Sequence, residues 1–360
     1  MMAPEELFHL CQEAVTENVS DIHLKPDSLP FCRDNDGRLR SMTSVPVDED
    51  AIIGVCRMLL SKNKESGPLW TTFEEEHDVT ENPLESILRS GSGEADVSAA
   101  MLMPDSSTAW LRINAYYAQA GFSVAIRVLR NRAMSAEEIW LPKALGDLRY
   151  KKEGLIIFCG PTGSGKTTAM YSMLDAINHE ECKHIVTLDD PLEIILQEDK
   201  CIISQREIGM HTKSFSTALR SALREDPDIL LIGEMRDRDT IRTALQAAET
   251  GHLVLSTIHA SSISEVVDRI LSYFDADEAP QLRSVLAASF LGIAGCRLLS
   301  RKGGGRVAAF EVLLRTSATT TVIKNGNMMQ IADYMSREQG MQTMEQAIEM
   351  LRISRLIDGG

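Results

Sequence analysis

The clearest chemical signal in the sequence is a glycine-rich loop between an apolar segment and a helical one. Residues 160–167 read Gly-Pro-Thr-Gly-Ser-Gly-Lys-Thr, which matches the pattern G-x-x-x-x-G-K-[ST] of phosphate-binding loops. Glycines let backbone N–H groups surround phosphate oxygens, and the start of the following helix adds positive potential. We therefore predict that ATP is bound by Gly160, Pro161, Thr162, Gly163, Ser164, Gly165, Lys166, Thr167 and Thr168.

Lys166, Thr167 and the acidic turn that begins at Asp189 are the candidates for balancing the negative charge of the phosphates. Lys166 is expected to reach the β- and γ-phosphates as a catalytic group, and the Thr167 hydroxyl to bind Mg²⁺. The turn Asp189-Asp-Pro-Leu-Glu193 follows the apolar run 185–188, and its carboxylates suit Mg²⁺ or its water ligands. We predict that Glu193 acts at the metal; a solvated acidic turn is the alternative.

Glu234 and His259 follow two further apolar runs, 229–232 and 253–258. The carboxyl ends of parallel strands open onto the same crevice, so both side chains are expected beside the phosphate loop. We predict Glu234 as the general base that activates the attacking water. His259 is expected to hydrogen-bond the γ-phosphate as a neutral imidazole. The alternatives are a surface glutamate and a structural histidine.

A predicted hairpin places two arginines face to face. Residues 110–117 and 122–129 alternate with period two, and pairing them puts Arg112 opposite Arg127 while the other face is apolar. Like charges in that position destabilise a hairpin unless an anion lies between them. A phosphate of ATP held by a neighbouring subunit would serve, because the forked guanidinium suits phosphate. Pairing of each arginine with a local Asp or Glu is the alternative.

Three more arginines are candidates for contact with nucleotide or with a partner subunit. Arg220 and Arg224 are four residues apart in a predicted helix and would share one of its faces. Arg236 follows Glu234 closely and is grouped with them. A solvated helix face is the alternative for each.

The elements that must position these residues fall into two regions. From residue 154 onward, apolar runs at 155–159, 185–188, 229–232 and 253–258 alternate with helical patterns, which predicts a largely parallel sheet covered by helices. Residues 131–142 are the predicted domain connection. The basic segment Arg301-Lys-Gly-Gly-Gly-Arg306 is predicted to separate the core of the second domain from a helical tail.

Composition narrows the class of protein. The 360 residues carry a formal net charge of −15 and only 5% aromatic residues, which disfavours nucleic acid as a partner. Seven cysteines without a C-x-x-C pair disfavour a disulfide framework and a structural zinc site. No apolar run approaches 18 residues, and the first residues are acidic where a signal peptide is basic. We expect a cytoplasmic protein without a membrane span.

Short motifs follow one another from the N-terminal region to the C-terminus. In chain order they are Ser20-Asp-Ile-His-Leu24, Glu94-Ala-Asp96, Arg112-Ile-Asn-Ala115, the phosphate loop, Asp190-Pro-Leu-Glu193, Gly233-Glu-Met-Arg-Asp237, Ala248-Glu-Thr-Gly-His252 with His259, Gly304-Gly-Arg-Val-Ala308 and Gly340-Met-Gln-Thr343. Together they resemble the secretion-ATPase superfamily, and most closely the type IV pilus retraction ATPases, the PilT-like proteins.

The resemblance implies a fold, an assembly and an activity. It implies an α/β protein with a PAS-like α+β domain at 1–132 and a RecA-like ATPase domain at 133–360, with a helical tail from about residue 300. It further implies a homohexamer with ATP and Mg²⁺ between subunits. Arg112 and Arg127 would then approach nucleotide, and His252 joins the candidate nucleotide-binding residues.

Within the superfamily, the resemblance implies a motor for pilus retraction that acts on an inner-membrane platform protein. The extension and tetracysteine module of pilus-assembly and type II secretion ATPases are missing. However, Ser317-Ala-Thr-Thr-Thr-Val-Ile-Lys324 stands where retraction ATPases carry an Ala-Ile-Arg-Asn-Leu-Ile-like helix. An assembly or type II-like secretion ATPase, a non-hydrolytic ATP-binding subunit and a DNA-translocating ATPase are the alternatives.

Overall fold

The computed structural model describes residues 2–17, 19–34, 37–61 and 83–358. The chain divides into two compact units, Met1–Asn131 and Arg132–Gly360. Each unit has its own hydrophobic core, as expected for domains of this size.

The N-terminal unit is built around an antiparallel sheet. Its described strands are β1 (Asp21–Leu24), β2 (Phe31–Arg33), β3 (Leu39–Ser41), β4 (Glu94–Leu102), β5 (Thr108–Ala118) and β6 (Gly121–Val128), and its described helices are α1 (Pro4–Thr16), α2 (Glu49–Ser61) and α3 (Pro83–Ser90). The strands lie in the order β3-β2-β1-β6-β5-β4. Helix α1 begins with Pro4 at its first position, where the missing N–H costs no helical hydrogen bond.

The predicted hairpin register is confirmed. Ile113 pairs with Ile126 and Arg112 with Arg127 across β5 and β6. The two isoleucines are buried in the core of the unit, together with Leu111 and Val124. A slip of one residue would expose this apolar set, so burial fixes which face the arginines occupy.

The C-terminal unit is built around a mainly parallel sheet. Its described strands are β7 (Gly154–Cys159), β8 (His184–Asp189), β9 (Ile202–Glu207), β10 (Ile229–Ile232), β11 (Leu253–Ile258), β12 (Phe290–Ser300) and β13 (Arg306–Leu314). They lie in the order β13-β12-β7-β11-β10-β8-β9, and the pair β12–β13 is antiparallel.

Helices cover this sheet. The described ones are α4 (Lys143–Gly146), α5 (Lys166–Glu180), α6 (Phe215–Ala222), α7 (Arg238–Glu249), α8 (Ile263–Leu271), α9 (Ala279–Ser289), α10 (Ser317–Asn325) and α11 (Met344–Ile353). Short 3₁₀ turns lie at Asp147–Tyr150, Met328–Tyr334 and Arg337–Gln339. Over the part of the chain that the structure describes, no helix is both long and apolar enough to cross a membrane.

The central strands bring the predicted site residues to one edge of the sheet. Every residue of β7, β10 and β11 is buried, which is typical of parallel strands covered on both faces. Leu253 of β11 is in register with Gly154 of β7 and with Ile229 of β10. The three strands therefore start level, and the segments that leave their carboxyl ends lie side by side.

The prediction of a helical tail from about residue 300 is wrong at its start. Strand β13 pairs with β12 along its whole length, and the first helix after it begins at Ser317. The basic segment 301–306 is the turn of this hairpin, where Gly303, Gly304 and Gly305 all have positive φ. Strand β12 was not predicted because its Gly and Ala residues, buried on both faces, do not alternate with polar ones.

Candidate active site

The phosphate loop leaves the carboxyl end of β7 and ends at the start of α5. Gly160 has φ +143°, and a Cβ there would lie 2.6 Å from the Cys296 carbonyl oxygen and 2.7 Å from Ser164 Oγ. Gly165 has φ +96° directly before the first residue of α5. Side chains at either position would collide or strain the backbone, so the loop needs both glycines to curl over the helix N-terminus.

Lys166 lies inside this loop. Its Nζ donates to the carbonyl oxygens of Gly160 (2.8 Å) and Pro161 (2.9 Å), and the side chain is buried. Burial lowers the pKa of Lys166, while nearby negative groups that include Glu234 and Glu193 act in the opposite direction. The amino group is thus enclosed by the carbonyl oxygens of the loop.

The loop fits a phosphate. Ser164 Oγ is buried and has no hydrogen-bond partner among the described residues. Backbone N–H groups at the start of α5 lack partners within the helix, as at any helix N-terminus. A hydroxyl, an ammonium group and the N–H groups of a helix N-terminus within one eight-residue loop are donors suited to an anion.

Glu234 is held in a cluster of charged side chains. It follows β10 and Gly233, and Arg236 donates from Nε to its Oε2 at 2.7 Å. The same guanidinium donates to Asp190 at 3.0 Å. His259, at the end of β11, places Nε2 3.4 Å from Glu234 Oε1. The structure therefore brings Glu234 and His259 together, with Arg236 joining Glu234 to the acidic turn.

The two predicted Mg²⁺ ligands lie on segments that meet at this edge. Thr167 is half-buried in the first turn of α5, and Glu193 is exposed in the loop after β8. In the described residues, no cluster of three or more His, Cys, Asp or Glu side chains forms a metal cage. One hydroxyl and one or two carboxylates suit Mg²⁺, which usually enters such sites with nucleotide phosphates and keeps several waters.

His252 is not brought to this edge. It precedes β11 at the amino end of the strand, where its Nδ1 lies 3.1 Å from the Ala247 carbonyl oxygen. His259 stands at the other end of the same six-residue strand, about 20 Å away at the usual rise per residue. The structure therefore does not bring His252 to the phosphate loop of the same chain, and its role toward nucleotide stays a prediction.

The helix that was predicted to carry Arg220 and Arg224 is shorter than expected. Helix α6 ends at Ala222, so Arg224 lies in the turn beyond it. Asp226 there has φ +54° and precedes Pro227, which disfavours further helix. Arg220 stays in the helix and donates to Asp239 at 3.1 Å. The two side chains do not share one helix face, which corrects that prediction.

Arg112 and Arg127 each have a carboxylate partner within the N-terminal unit. Arg112 pairs with Asp96 on β4, and Arg127 Nε lies 3.0 Å from Asp21 Oδ1 on β1. The like charges are thus compensated without a phosphate, as the alternative of local pairing predicted. A role toward nucleotide stays a prediction.

Sequence reasoning missed the buried groups behind this edge. Asp190 was one of three carboxylates in the turn, but its bond to Arg236 depends on the order of β8 and β10. Tyr171 and Asp189 are buried and hydrogen-bonded to each other at 2.7 Å. The sequence offers one indication of this pair: Tyr171 follows Thr167 by four residues, so the two side chains lie on the same face of the helix.

Comparison with known proteins agrees with the motifs. Residues 100–301 match the family model described as Type II/IV secretion system protein. The chain is 40% identical over 248 residues to the type IV pilus retractation ATPase PilT of Pseudomonas aeruginosa. The aligned residues cover 68% of this chain and 72% of that protein. It is also 40% identical over 248 residues to a twitching motility protein of Neisseria gonorrhoeae, covering 68% of this chain and 66% of the relative.

A solved structure supports the fold over nearly the whole chain. The crystal structure of the pilus retraction motor PilT with bound ADP superposes with a TM-score of 0.81 at 34% identity, covering 98% of this chain and 94% of that one. The predicted α/β fold class and the resemblance to PilT-like ATPases are confirmed.

Proposed function

Because this chain belongs to the family of type II/IV secretion system proteins, we propose that it is an ATPase motor that drives type IV pilus retraction. The observation that carries the proposal is the cluster at the carboxyl edge of the sheet. There Lys166 is enclosed by the phosphate loop, and Glu234 is bonded to Arg236 and lies beside His259. Relatives that are 40% identical are named as a pilus retraction ATPase and a twitching motility protein.

Each residue at the carboxyl ends of the central strands has its own role in ATP hydrolysis. Backbone N–H groups of the loop and Lys166 bind the β- and γ-phosphates, and Thr167 with Glu193 would hold Mg²⁺. When bound, Mg²⁺ neutralises charge on the phosphate oxygens. Glu234 accepts a proton from the attacking water, and the bond from Arg236 fixes the direction of its carboxylate. His259, which lies beside Glu234, would donate a hydrogen bond to the γ-phosphate.

The proposal includes an assembly and a location. We propose a homohexamer in which Arg112, Arg127, Arg220 or Arg224 of one subunit approaches ATP bound by another, while Arg236 acts beside Glu234 of its own subunit. The PAS-like domain would span 1–132 and the ATPase domain 133–360. The motor would act at the cytoplasmic face of the inner membrane on a pilus platform protein. Its net charge of −15 disfavours nucleic acid as a partner.

Turnover by the purified protein tests the chemistry. Glu234→Gln should keep ATP binding and lower the hydrolysis rate at least about 100-fold, the lower end for a general base. Lys166→Ala should weaken ATP binding itself. Glu249→Gln, at the end of α7, is the matched control and should hydrolyse ATP at the wild-type rate. An inactive wild type that still binds ATP would favour the non-hydrolytic subunit.

Fibre counts test the direction of movement. Deleting the gene should leave cells with more surface pili and no twitching motility, and the Glu234→Gln gene should fail to restore either. Loss of pili after deletion would favour a pilus-assembly ATPase. A secretion defect with normal pili would favour a type II-like ATPase. Either result would overturn retraction and leave ATP hydrolysis intact.

A further inference from the structure

A buried hydroxyl lies directly behind the phosphate loop. Tyr171 is completely buried in α5, one turn after Thr167. Its Oη donates to Asp189 Oδ2 at 2.7 Å and accepts from Gln205 Nε2 at 3.2 Å. Phenylalanine would fill the same space, so packing alone does not require this hydroxyl.

The partners of Tyr171 hold both ends of the loop that carries Glu193. Asp189 is the last residue of β8, directly before the acidic turn. On the far side, Gln205 donates to the Ile194 carbonyl oxygen at 3.0 Å and accepts from the Leu196 N–H at 2.8 Å. One phenol hydroxyl thus connects the helix of Thr167 to the residues before and after Glu193.

Asp189 also lies against the segment that carries Glu234. The Gly233 N–H donates to the Leu188 carbonyl oxygen at 2.7 Å. A Cβ on Gly233 would lie 3.1 Å from that oxygen and 3.5 Å from Asp189 Oδ1. The position of Asp189 therefore affects the acidic turn directly and the segment of the predicted general base through Gly233.

We propose that Tyr171 and Asp189 are a positioning pair that sets the distance between the Thr167 end of α5 and the loop of Glu193. The inference rests on the proposed function, in which Thr167 and Glu193 hold Mg²⁺ beside the phosphates. Neither Tyr171 nor Asp189 contacts nucleotide in this scheme. Without the hydroxyl, the phosphate loop keeps its form and Asn178 still bonds Gln197 at the far end of the acidic loop, while the residues on either side of Glu193 lose their bonds to α5 through Tyr171.

The test separates Mg²⁺-dependent binding from binding of the nucleotide alone. Fluorescent ADP is titrated against the full-length protein in EDTA and at a series of Mg²⁺ concentrations, and ATP hydrolysis is measured over the same series. Tyr171→Phe should raise the half-saturating Mg²⁺ concentration about tenfold, within the range for residues that support metal ligands. ADP affinity in EDTA should stay within about twofold of wild type, because the anion site of the loop is unchanged.

Two further variants complete the design. Gln205→Leu cuts the bonds to Ile194 and Leu196 and should shift the Mg²⁺ dependence in the same direction. Tyr150→Phe removes an exposed hydroxyl that bonds Glu180 at 2.9 Å, and it should behave like wild type. Melting curves of all three establish that they are folded at the assay temperature.

Each result of these titrations either supports or overturns the positioning role of Tyr171 and Asp189. An unchanged Mg²⁺ dependence in folded Tyr171→Phe would overturn the positioning role. Equal loss of ADP affinity with and without Mg²⁺ would show that the pair holds the phosphate loop itself, which also overturns the inference. A wild type that does not hydrolyse ATP would overturn the proposed function, while the binding titration would still judge the pair.

Discussion

Arg127→Ala tests whether this side chain serves only the neighbouring strand or also a nucleotide. In the described N-terminal unit, Arg127 is 65% exposed and its Nε lies 3.0 Å from Asp21 Oδ1. An ion pair this exposed contributes about 0.5 kcal/mol to stability. Losing it should lower the melting temperature by about 2 °C for a unit of this size. Without the aspartates, the facing arginines would repel each other and alanine would stabilise instead.

Asp21→Asn provides the matched variant, because it removes the same ion pair and leaves the arginine in place. If Arg127 stabilises a transferring phosphate in a neighbouring subunit, Arg127→Ala should lower turnover at least about tenfold, a small part of the effect known for such arginines. Asp21→Asn should then keep near-normal turnover, although both variants lose similar stability. Arg127→Lys should restore little, because an ammonium group lacks the fork of the guanidinium.

Light scattering should first establish that the variants assemble as the wild type does, and phosphate release then gives the turnover. Arg112→Ala and Asp96→Asn repeat the comparison across the other pair of strands. Normal turnover in both alanine variants would refute a role toward nucleotide and leave two structural ion pairs.

Three further predictions concern the phosphate loop, the buried carboxylate and the assembly. Gly160→Ala should weaken nucleotide binding more than Gly163→Ala: both glycines have positive φ, but only at Gly160 would a Cβ also meet a backbone oxygen, at 2.6 Å; equal losses in an ADP titration would contradict this. Burial raises the pKa of Asp189 to about 7, so between about pH 4 and about pH 7 the native state keeps a proton that the unfolded chain has released, and the wild type loses stability across that range. Asp189→Asn should therefore gain in melting temperature relative to wild type from about pH 4 to about pH 7 and differ by a constant amount above it, and a difference that does not change below about pH 7 would count against the shift. Hydrolysis per unit of protein should rise with protein concentration if the site is shared between subunits, and full specific activity in a dilute monomer would refute sharing.

Features that depend on local chemistry are evident in the order of residues alone. The spacing of glycines, Lys166 and Thr167 specifies an anion-binding loop because the backbone geometry is set within eight residues. Glu234 and His259 were found because each directly follows a buried run, and parallel strands end at a common edge. The hairpin register followed from alternation, since one residue of slip would expose the apolar face.

Contacts between side chains that are distant in the sequence depend on how the strands are ordered in the fold. The residues of β9, β12 and β13 show no clear alternation of apolar and polar side chains. The number of strands in the sheet and the hairpin that turns at 301–306 are therefore known only from the strand pairing in the structure. His252 directly precedes the apolar run 253–258 that His259 follows, and the structure accordingly has it at the amino end of β11, opposite His259.

The same reason explains the charged and buried pairs. Arg236 reaches Asp190 across 46 positions of sequence because β8 and β10 are neighbours in the sheet. Tyr171 reads as an ordinary core residue of a helix until Asp189 and Gln205 are brought against it. Local geometry is determined by the order of residues, whereas these contacts are determined by strand order, and strand order depends on the packing of the whole unit.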